Sequence, residues 1–253
     1  VNIALDFNRS NLSGQPVNVL INELIEQSEP PSKNYRQYLG ASAAGDDCLR
    51  KIQYSWMCDP IFPARTKDIF ARGHFFEDVT RQHLIAAGFS FAPTERLEFK
   101  AADGLFRGHA DGIITAGPRL PGLSYPCLWE HKALAAKGWR AIERDGLAGL
   151  YAIYAGQVAI YQAYLDVINP ALFSVVNSDT CERLHFLVPF DAQLAQATSD
   201  RAVTVIEATR AGELLPRITE DPDDWRCRMC SHRERCWRPN VPAPILLEPM
   251  GVS

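Results

Sequence analysis

The segment Pro126-Cys127-Leu128-Trp129-Glu130-His131-Lys132 places the strongest constraint on what this chain can become. Its first half is an unbroken apolar run that reads as a strand. Its second half puts Glu130 and Lys132 two residues apart, so on a strand they share one face while Trp129 and His131 share the other. An apolar strand that ends in charge must find partners for that charge, because burying an unpaired ion is expensive.

A second segment supplies an acid. In Arg107-Gly108-His109-Ala110-Asp111-Gly112, another expected strand ends at an Asp-Gly pair, with residues 107, 109 and 111 pointing one way. Two carboxylates and an ammonium side by side form a costly cluster unless a cation joins them, and hard divalent ions such as Mg²⁺ prefer carboxylate and water ligands. Lys132, close to such an ion, would orient or deprotonate an attacking water. The plain alternative is a turn at Asp111-Gly112 and a surface pair at Glu130 and Lys132. A helix carrying an inward-facing acid, Arg72-Gly73-His74-Phe75-Phe76-Glu77, precedes both segments, and the combination is far more specific than any one part. Downstream, Gln157 and Tyr161 lie one turn apart on a single helical face.

Around these segments the pattern predicts a helix over 16–28, ended by Glu29-Pro30-Pro31, and one over 46–57 led by Asp46 or Asp47. A long helix is expected over 67–87, striped by Ile69, Phe76, Val79 and Leu84 and stopped by Gly88. Strands are expected over 89–100, 105–115 and 126–132, then helices over 135–145 and 150–166. Strands near 171–177 and 183–189 and a helix over 191–212 complete the series. This order describes an α/β fold with a mixed sheet flanked by helices. Residues 1–39 form a polar segment (unordered to residue 15) and a helix, 40–215 the core, and 216–253 a cysteine- and arginine-rich module with a tail.

A chain of 253 residues with 47% hydrophobic content buries a full core. No apolar run approaches the roughly 20 residues that cross a bilayer, and no signal peptide is visible. Seven cysteines, an odd number, argue against a secreted disulfide framework and for a reducing cytoplasm, with some thiols on metal. The net charge of −4 does not advertise a nucleic-acid binder, but phosphate contacts depend on local patches. One such patch holds Arg226, Arg228, Arg233, Arg235 and Arg238 against the single acid Glu234, directly after Glu220, Asp221, Asp223 and Asp224.

The arginines are interleaved with Cys227, Cys230 and Cys236. Thiols this close in sequence normally share one metal, and the fourth ligand must come from elsewhere. Cys48 is the first candidate, Cys58 and His232 the next, while Cys127 and Cys181 read as buried thiols on apolar strands. Four cysteines alone do not separate structural Zn²⁺ from an iron–sulfur cluster.

Taken in order, Cys48, Gly73-x₃-Glu77, Gly108-His-x-Asp111-Gly, Glu130-x-Lys132, Gln157-x₃-Tyr161 and Cys227-x₂-Cys230-x₅-Cys236 resemble the RecB-like PD-(D/E)XK exonucleases over about residues 40–238. The pattern is most similar to the CRISPR-associated Cas-four-type nucleases and their phage relatives. The resemblance implies a restriction-endonuclease-like sheet with a four-cysteine appendage and a DNA nuclease that uses Mg²⁺ or Mn²⁺. It implies that Asp111, Glu130 and the backbone carbonyl of His131 ligate the metal and that Lys132 is the catalytic lysine. Glu77 stands where many relatives carry a histidine, with His74 nearby. Gln157 and Tyr161 fall in a DNA-contacting helix motif, and Arg228, Arg233 and Arg235 are expected along the DNA path. The four cysteines would hold a [4Fe–4S] cluster as a structural staple. DNA is the implied partner, with homo-oligomers and recombination or CRISPR-adaptation proteins as further ones, in the cytoplasm of a prokaryotic host. Two competing readings are a non-cutting iron–sulfur DNA-binding module, which need not keep all of Asp111, Glu130 and Lys132, and a zinc deaminase, which expects Glu at 111 and Pro at 226.

Overall fold

The computed structural model describes residues 12–28, 37–58, 64–147, 152–239 and 243–244. In chain order the helices are α1 (Pro16–Ser28), α2 (Ala41–Ala44), α3 (Leu49–Met57), α4 (Ala64–Ala86), α5 (Ala136–Asp145), α6 (Ala152–Tyr164), α7 (Ala192–Arg210), α8 (Trp225–Arg228) and α9 (Arg233–Trp237). The strands are β1 (Leu39–Gly40), β2 (Ser90–Phe91), β3 (Glu98–Ala101), β4 (Phe106–His109), β5 (Gly112–Ala116), β6 (Cys127–Leu134), β7 (Ala171–Asn177) and β8 (Arg183–Val188). The expected unordered start falls outside the described residues up to residue 11, and a short 3-10 turn occupies Leu12–Gly14.

The charged-ended apolar segment becomes β6, the middle strand of a sheet ordered β2-β5-β6-β7-β8. β6 runs parallel to β7, while the other pairs are antiparallel. A parallel pair needs a long crossover, and α5 and α6 supply it. One face of the sheet, with Leu128, Phe173 and Val175, packs with Trp139, Ile160, Val205 and Ile206 in the main core. The other face, with Cys127, Trp129 and Leu172, packs with Leu84, Phe89 and Ile114. Both faces are covered, which is why the first half of β6 is apolar at every position.

Two expected strands are each cut in half, and this changes the architecture. The stretch 89–100 divides into β2 and β3 around Pro93, which has no N–H to give a ladder. The stretch 105–115 divides into β4 and β5 at Ala110 and Asp111, both outside either strand. β4 pairs with both β3 and β1 in a separate three-stranded sheet, while β2 and β5 belong to the large one. The chain therefore passes between sheets at Asp111.

Other expectations are corrected at their edges. The helix expected over 46–57 starts at Leu49 with Cys48 as its N-cap residue, because Asp46 turns back to accept from the Cys48 N–H at 3.0 Å and pairs with Lys51 at 2.5 Å. The cap on α7 is side-chain borne, with Asp191 accepting from the Leu194 N–H at 2.9 Å. The stripe expected on the long helix is only partly buried. Thr80 and Leu84 are the buried residues of α4, while Ile69 is exposed and Phe76 and Val79 lie half-buried. Only the C-terminal half of α4 lies on the sheet, and the Ala64 N–H at its start is received by both carboxylate oxygens of Glu26, at 2.7 and 2.8 Å. Cys127 is buried as expected, but Cys181 is exposed, in the turn between β7 and β8 with φ of 62°. No helix among the described residues is long and apolar enough to cross a membrane.

Two glycines test the packing. A Cβ on Gly45, at the end of α2, would stand 2.5 Å from the Ile153 carbonyl oxygen and 2.8 Å from its Cα, where α2 meets α6. A Cβ on Gly73, in the open half of α4, would meet nothing within 4 Å. Gly45→Ala should therefore lower unfolding stability by about 1–3 kcal/mol, and Gly73→Ala should raise it by about 0.5–1 kcal/mol. Urea unfolding monitored by circular dichroism checks both signs.

Candidate active site

The seam between the two sheets assembles the site. Gly112 opens β5 opposite Trp129, in a place where a Cβ would lie 2.9 Å from Phe91 and 3.0 Å from the Trp129 ring. One residue earlier the strand has bent away, so β5 offers no carbonyl to the next N–H of β6. Asp111 takes its place, its Oδ2 accepting from the His131 N–H at 2.8 Å. The Asp-Gly pair thus ends a ladder and supplies the carboxylate that completes it.

Glu130 is fully buried, and its Oε1 receives the Lys132 ammonium at 2.5 Å. Its Oε2 is buried without a hydrogen-bond partner. Burial first, and then the Asp111 charge, push the Glu130 carboxyl above the usual carboxylate range, against the pull of Lys132. Burial also opposes the Lys132 charge, but Glu130 and Asp111 outweigh it and raise that pKa. The close ammonium–carboxylate contact favours the ionised pair, because Glu130 is also the largest single influence holding Lys132 charged. Lys132 additionally lies over the Tyr154 ring, 5.4 Å from its centroid.

Glu77 joins from α4. Its pKa is pushed up to about 7 by burial and by Asp111, with His74 and Lys132 opposing. His74 stands 3.7 Å from the Glu77 carboxylate but is itself largely exposed, so it accompanies Glu77 and does not replace it. On the opposite face of β6, the His131 ring reaches Thr80 of α4 at 3.2 Å. Burial, with Lys132 and His185 adding, lowers the His131 pKa to about 3, so the ring is neutral. Thr80 lies three residues beyond Glu77 and fixes the turn of helix that presents it.

Gln157 and Tyr161 are both buried on α6, one turn apart. Burial and then the charges of Glu130 and Asp111 raise the Tyr161 hydroxyl. Both residues also line a cleft of about 450 Å³ with Tyr38, Gly40, Ala41, Ser42, Glu98, Arg107, Gly108 and His109. Gly108 is required there, since a Cβ would lie 2.4 Å from both Phe99 and Tyr161. The sequence reading missed Thr80, Tyr154, Tyr38 and Ser42. Thr80 had a usable signal, one turn from Glu77 on the apolar stripe; Tyr38 and Ser42 had none, since a parallel pairing of two residues brings them in.

At the other end of the chain, Cys227 and Cys230 each feel the charges of Cys48 and Cys236. His232 turns to Ser55 at 3.2 Å and to the Tyr54 ring. The arginine cluster is not the unpartnered patch expected. Arg226 pairs with Asp224 at 2.8 Å, Arg233 with Asp223 at 3.2 Å and Arg238 with Glu234 at 3.7 Å, while Arg235 lies over Tyr54. The acidic stretch beforehand folds back onto the basic one.

Among the described residues no three His, Cys, Asp or Glu side chains are grouped to hold a metal ion as they stand. The donor chemistry of each set still fits. Three carboxylates that feel one another's charge, one with an orphaned buried oxygen, are of the kind a hard divalent cation prefers, and four thiols are of the kind a soft metal or cluster prefers.

No protein-family model matches the sequence, and no curated protein matches it. Among solved structures the chain is similar to the crystal structure of SSO0001, at 13% identity over 91% of this chain and 98% of that one, with a TM-score of 0.45. It is also similar to an alkaline exonuclease (LHK-Exo) from Laribacter hongkongensis, at 14% identity over 73% of this chain and 91% of that one, with a TM-score of 0.49. Likeness at this level leaves function to be argued from the side chains of the site.

The raised Glu77 pKa makes a signed prediction for metal-free protein. A carboxyl whose pKa is higher folded than unfolded stabilises the fold below the unfolded value and loses that contribution as pH rises through the folded one. Between about pH 4.5 and about pH 7, the wild type in EDTA should lose more melting temperature than Glu77→Gln, which cannot ionise. Parallel melting curves across that window would remove Glu77 from the repelling cluster.

Proposed function

We propose that this chain is a divalent-metal-dependent deoxyribonuclease, an exonuclease that hydrolyses phosphodiester bonds. The observation that carries the reading is the buried Oε2 of Glu130, without a partner and set among Asp111, Glu77 and Lys132. A structural ion pair would have no use for two further acids beside it; a cation site would. Asp111, Glu130 and the His131 carbonyl would hold Mg²⁺ or Mn²⁺, with Glu77 completing the set. The ion, when bound, supplies Lewis acidity to the phosphate and to its water. Asp111 keeps its geometry through the His131 N–H. Lys132, tethered to Glu130, orients the attacking water and stabilises charge developing on the phosphate. Tyr161 and Gln157 close the cleft side of the centre, where the DNA strand would lie. Arg228 and Arg235, which form no ion pair among the described residues, are better candidates for DNA contact than Arg233, which pairs with Asp223.

Asp111→Ala and Glu130→Ala should each lower cleavage of end-labelled DNA by about 100-fold or more, the size seen when one charged group at a reacting centre is lost. Both should keep a native circular dichroism spectrum. Wild-type rates in Asp111→Ala would refute the site, and equal cutting in EDTA would refute the metal.

The same reading extends to Cys48, Cys227, Cys230 and Cys236 as holders of a [4Fe–4S] cluster, with structural Zn²⁺ as the alternative on the same thiols. As a staple, it would join the start of α3 to the segment around α8 and α9 and take no part in the reaction. Protein purified without oxygen should be brown and hold about four irons per chain. Cys48→Ala should lose both colour and iron, and Cys58→Ala should lose neither. A colourless protein with one zinc would overturn the cluster and leave the nuclease centre standing.

A further inference from the structure

Arg107 is held in an unusual way for a charged residue. Its guanidinium lies over the Tyr38 ring, 5.0 Å from the centroid, and its Nε donates to the Gly104 carbonyl at 2.7 Å. Stacking and a backbone hydrogen bond fix the plane of the group while leaving both terminal nitrogens their donors. Glu98, the acid that shares its cleft, pairs with Lys100 at 3.3 Å, and among the described residues no acid pairs with Arg107. A rigid, half-buried guanidinium without a counter-ion is arranged for an anion that arrives from outside.

The cleft says which anion. Its lining includes the Ser42 hydroxyl, the exposed His109 ring and the amide of Gln157, all hydrogen-bonding groups that suit phosphate oxygens. Tyr161, which lines the cleft, also feels the charges of Glu130 and Asp111, so the two sites are neighbours. Arg107 stands four residues before Asp111, at most roughly 13 Å along an extended chain. Arg107 makes no contact with Asp111, Glu130 or Lys132 among the described residues, so it stands beside the centre, where a phosphate next to the reacting one would lie.

We propose that this cleft is a phosphate subsite, in which Arg107 holds a phosphodiester flanking the one cut at Asp111, Glu130 and Lys132. The assignment rests on the nuclease reading above. It adds a contact that the cysteine-rich module does not provide, since that module's arginines are mostly spent on its own acids.

The test is fluorescence anisotropy with a labelled oligodeoxythymidylate, in EDTA so that nothing is cut, over a range of salt concentrations. Arg107→Gln should weaken binding about 10-fold and flatten the slope of log affinity against log salt by roughly 0.7–0.9, the share of one phosphate contact. In a set of oligonucleotides each carrying one neutral methylphosphonate linkage, one position should weaken the wild type and leave Arg107→Gln unaffected. Arg107→Lys, the fallback if the glutamine variant does not fold, should keep the salt slope while losing affinity, because it keeps the charge and loses the fork and the stack. A folded Arg107→Gln with wild-type affinity and slope overturns the subsite. So does a loss of affinity with the salt slope and methylphosphonate penalty intact, which would mark Arg107 as a scaffold residue. If the wild type cuts DNA and either of these results is obtained, only the subsite falls; if the wild type neither binds nor cuts DNA, the nuclease reading falls with it.

Discussion

Placing a carboxylate in the middle of a sheet is a demand that the rest of the molecule has to meet. Glu130 sits on the central strand with both faces of the sheet covered, and its desolvation is the largest influence on its protonation. Lys132 meets half of the demand through Oε1. The other oxygen is buried without a hydrogen-bond partner. Breaking such a pair by removing one partner is far costlier than never having built it.

The break between the two sheets follows from the same place. If β4 and β5 ran as one strand, Asp111 would be one more ladder residue and its side chain would point away from the His131 N–H. The bend at Ala110 and Asp111 removes a backbone acceptor from the edge of β6, and the Asp111 carboxylate replaces it. Glycines on either side let this happen at close quarters. Gly108 lets β4 lie against Tyr161, and Gly112 lets β5 pass Phe91 and Trp129. The opposite face of β6 contributes through a neutral His131, which fastens α4 at Thr80 and so sets the height of Glu77. Position along one strand therefore controls both the acid from the seam and the acid from the helix.

Electrostatics in the cysteine-rich segment works differently. There the charges are exposed and arranged in short-range pairs, Asp224 with Arg226 and Asp223 with Arg233. Exposed pairs of this kind contribute little to stability. Their consequence is that the segment presents much less net positive charge than its arginine count suggests. A lone guanidinium in a cleft, like that of Arg107, is a stronger electrostatic feature than several arginines that share a surface with their own acids.

How much of this was legible beforehand depended on the range of the interaction. Alternation along a strand is local, so the shared face of Glu130 and Lys132, and the opposite placement of Trp129 and His131, were readable from spacing alone. So were most helices and the mixed sheet. The division of 89–100 and 105–115 was not readable. Period-2 patterning continues across Asp111, and Pro93 marks a break without saying which sheet each half joins. The pairing of Asp223 and Asp224 with arginines was hidden for a related reason, since adjacent runs of opposite charge can separate or fold back with nearly the same sequence. The sequence by itself determined the chemistry, a set of carboxylates, a lysine and thiols in a fixed order. The tertiary structure decided which of them meet, because strand partners and the desolvation that gives Glu130 and Glu77 their character depend on residues far away in the chain.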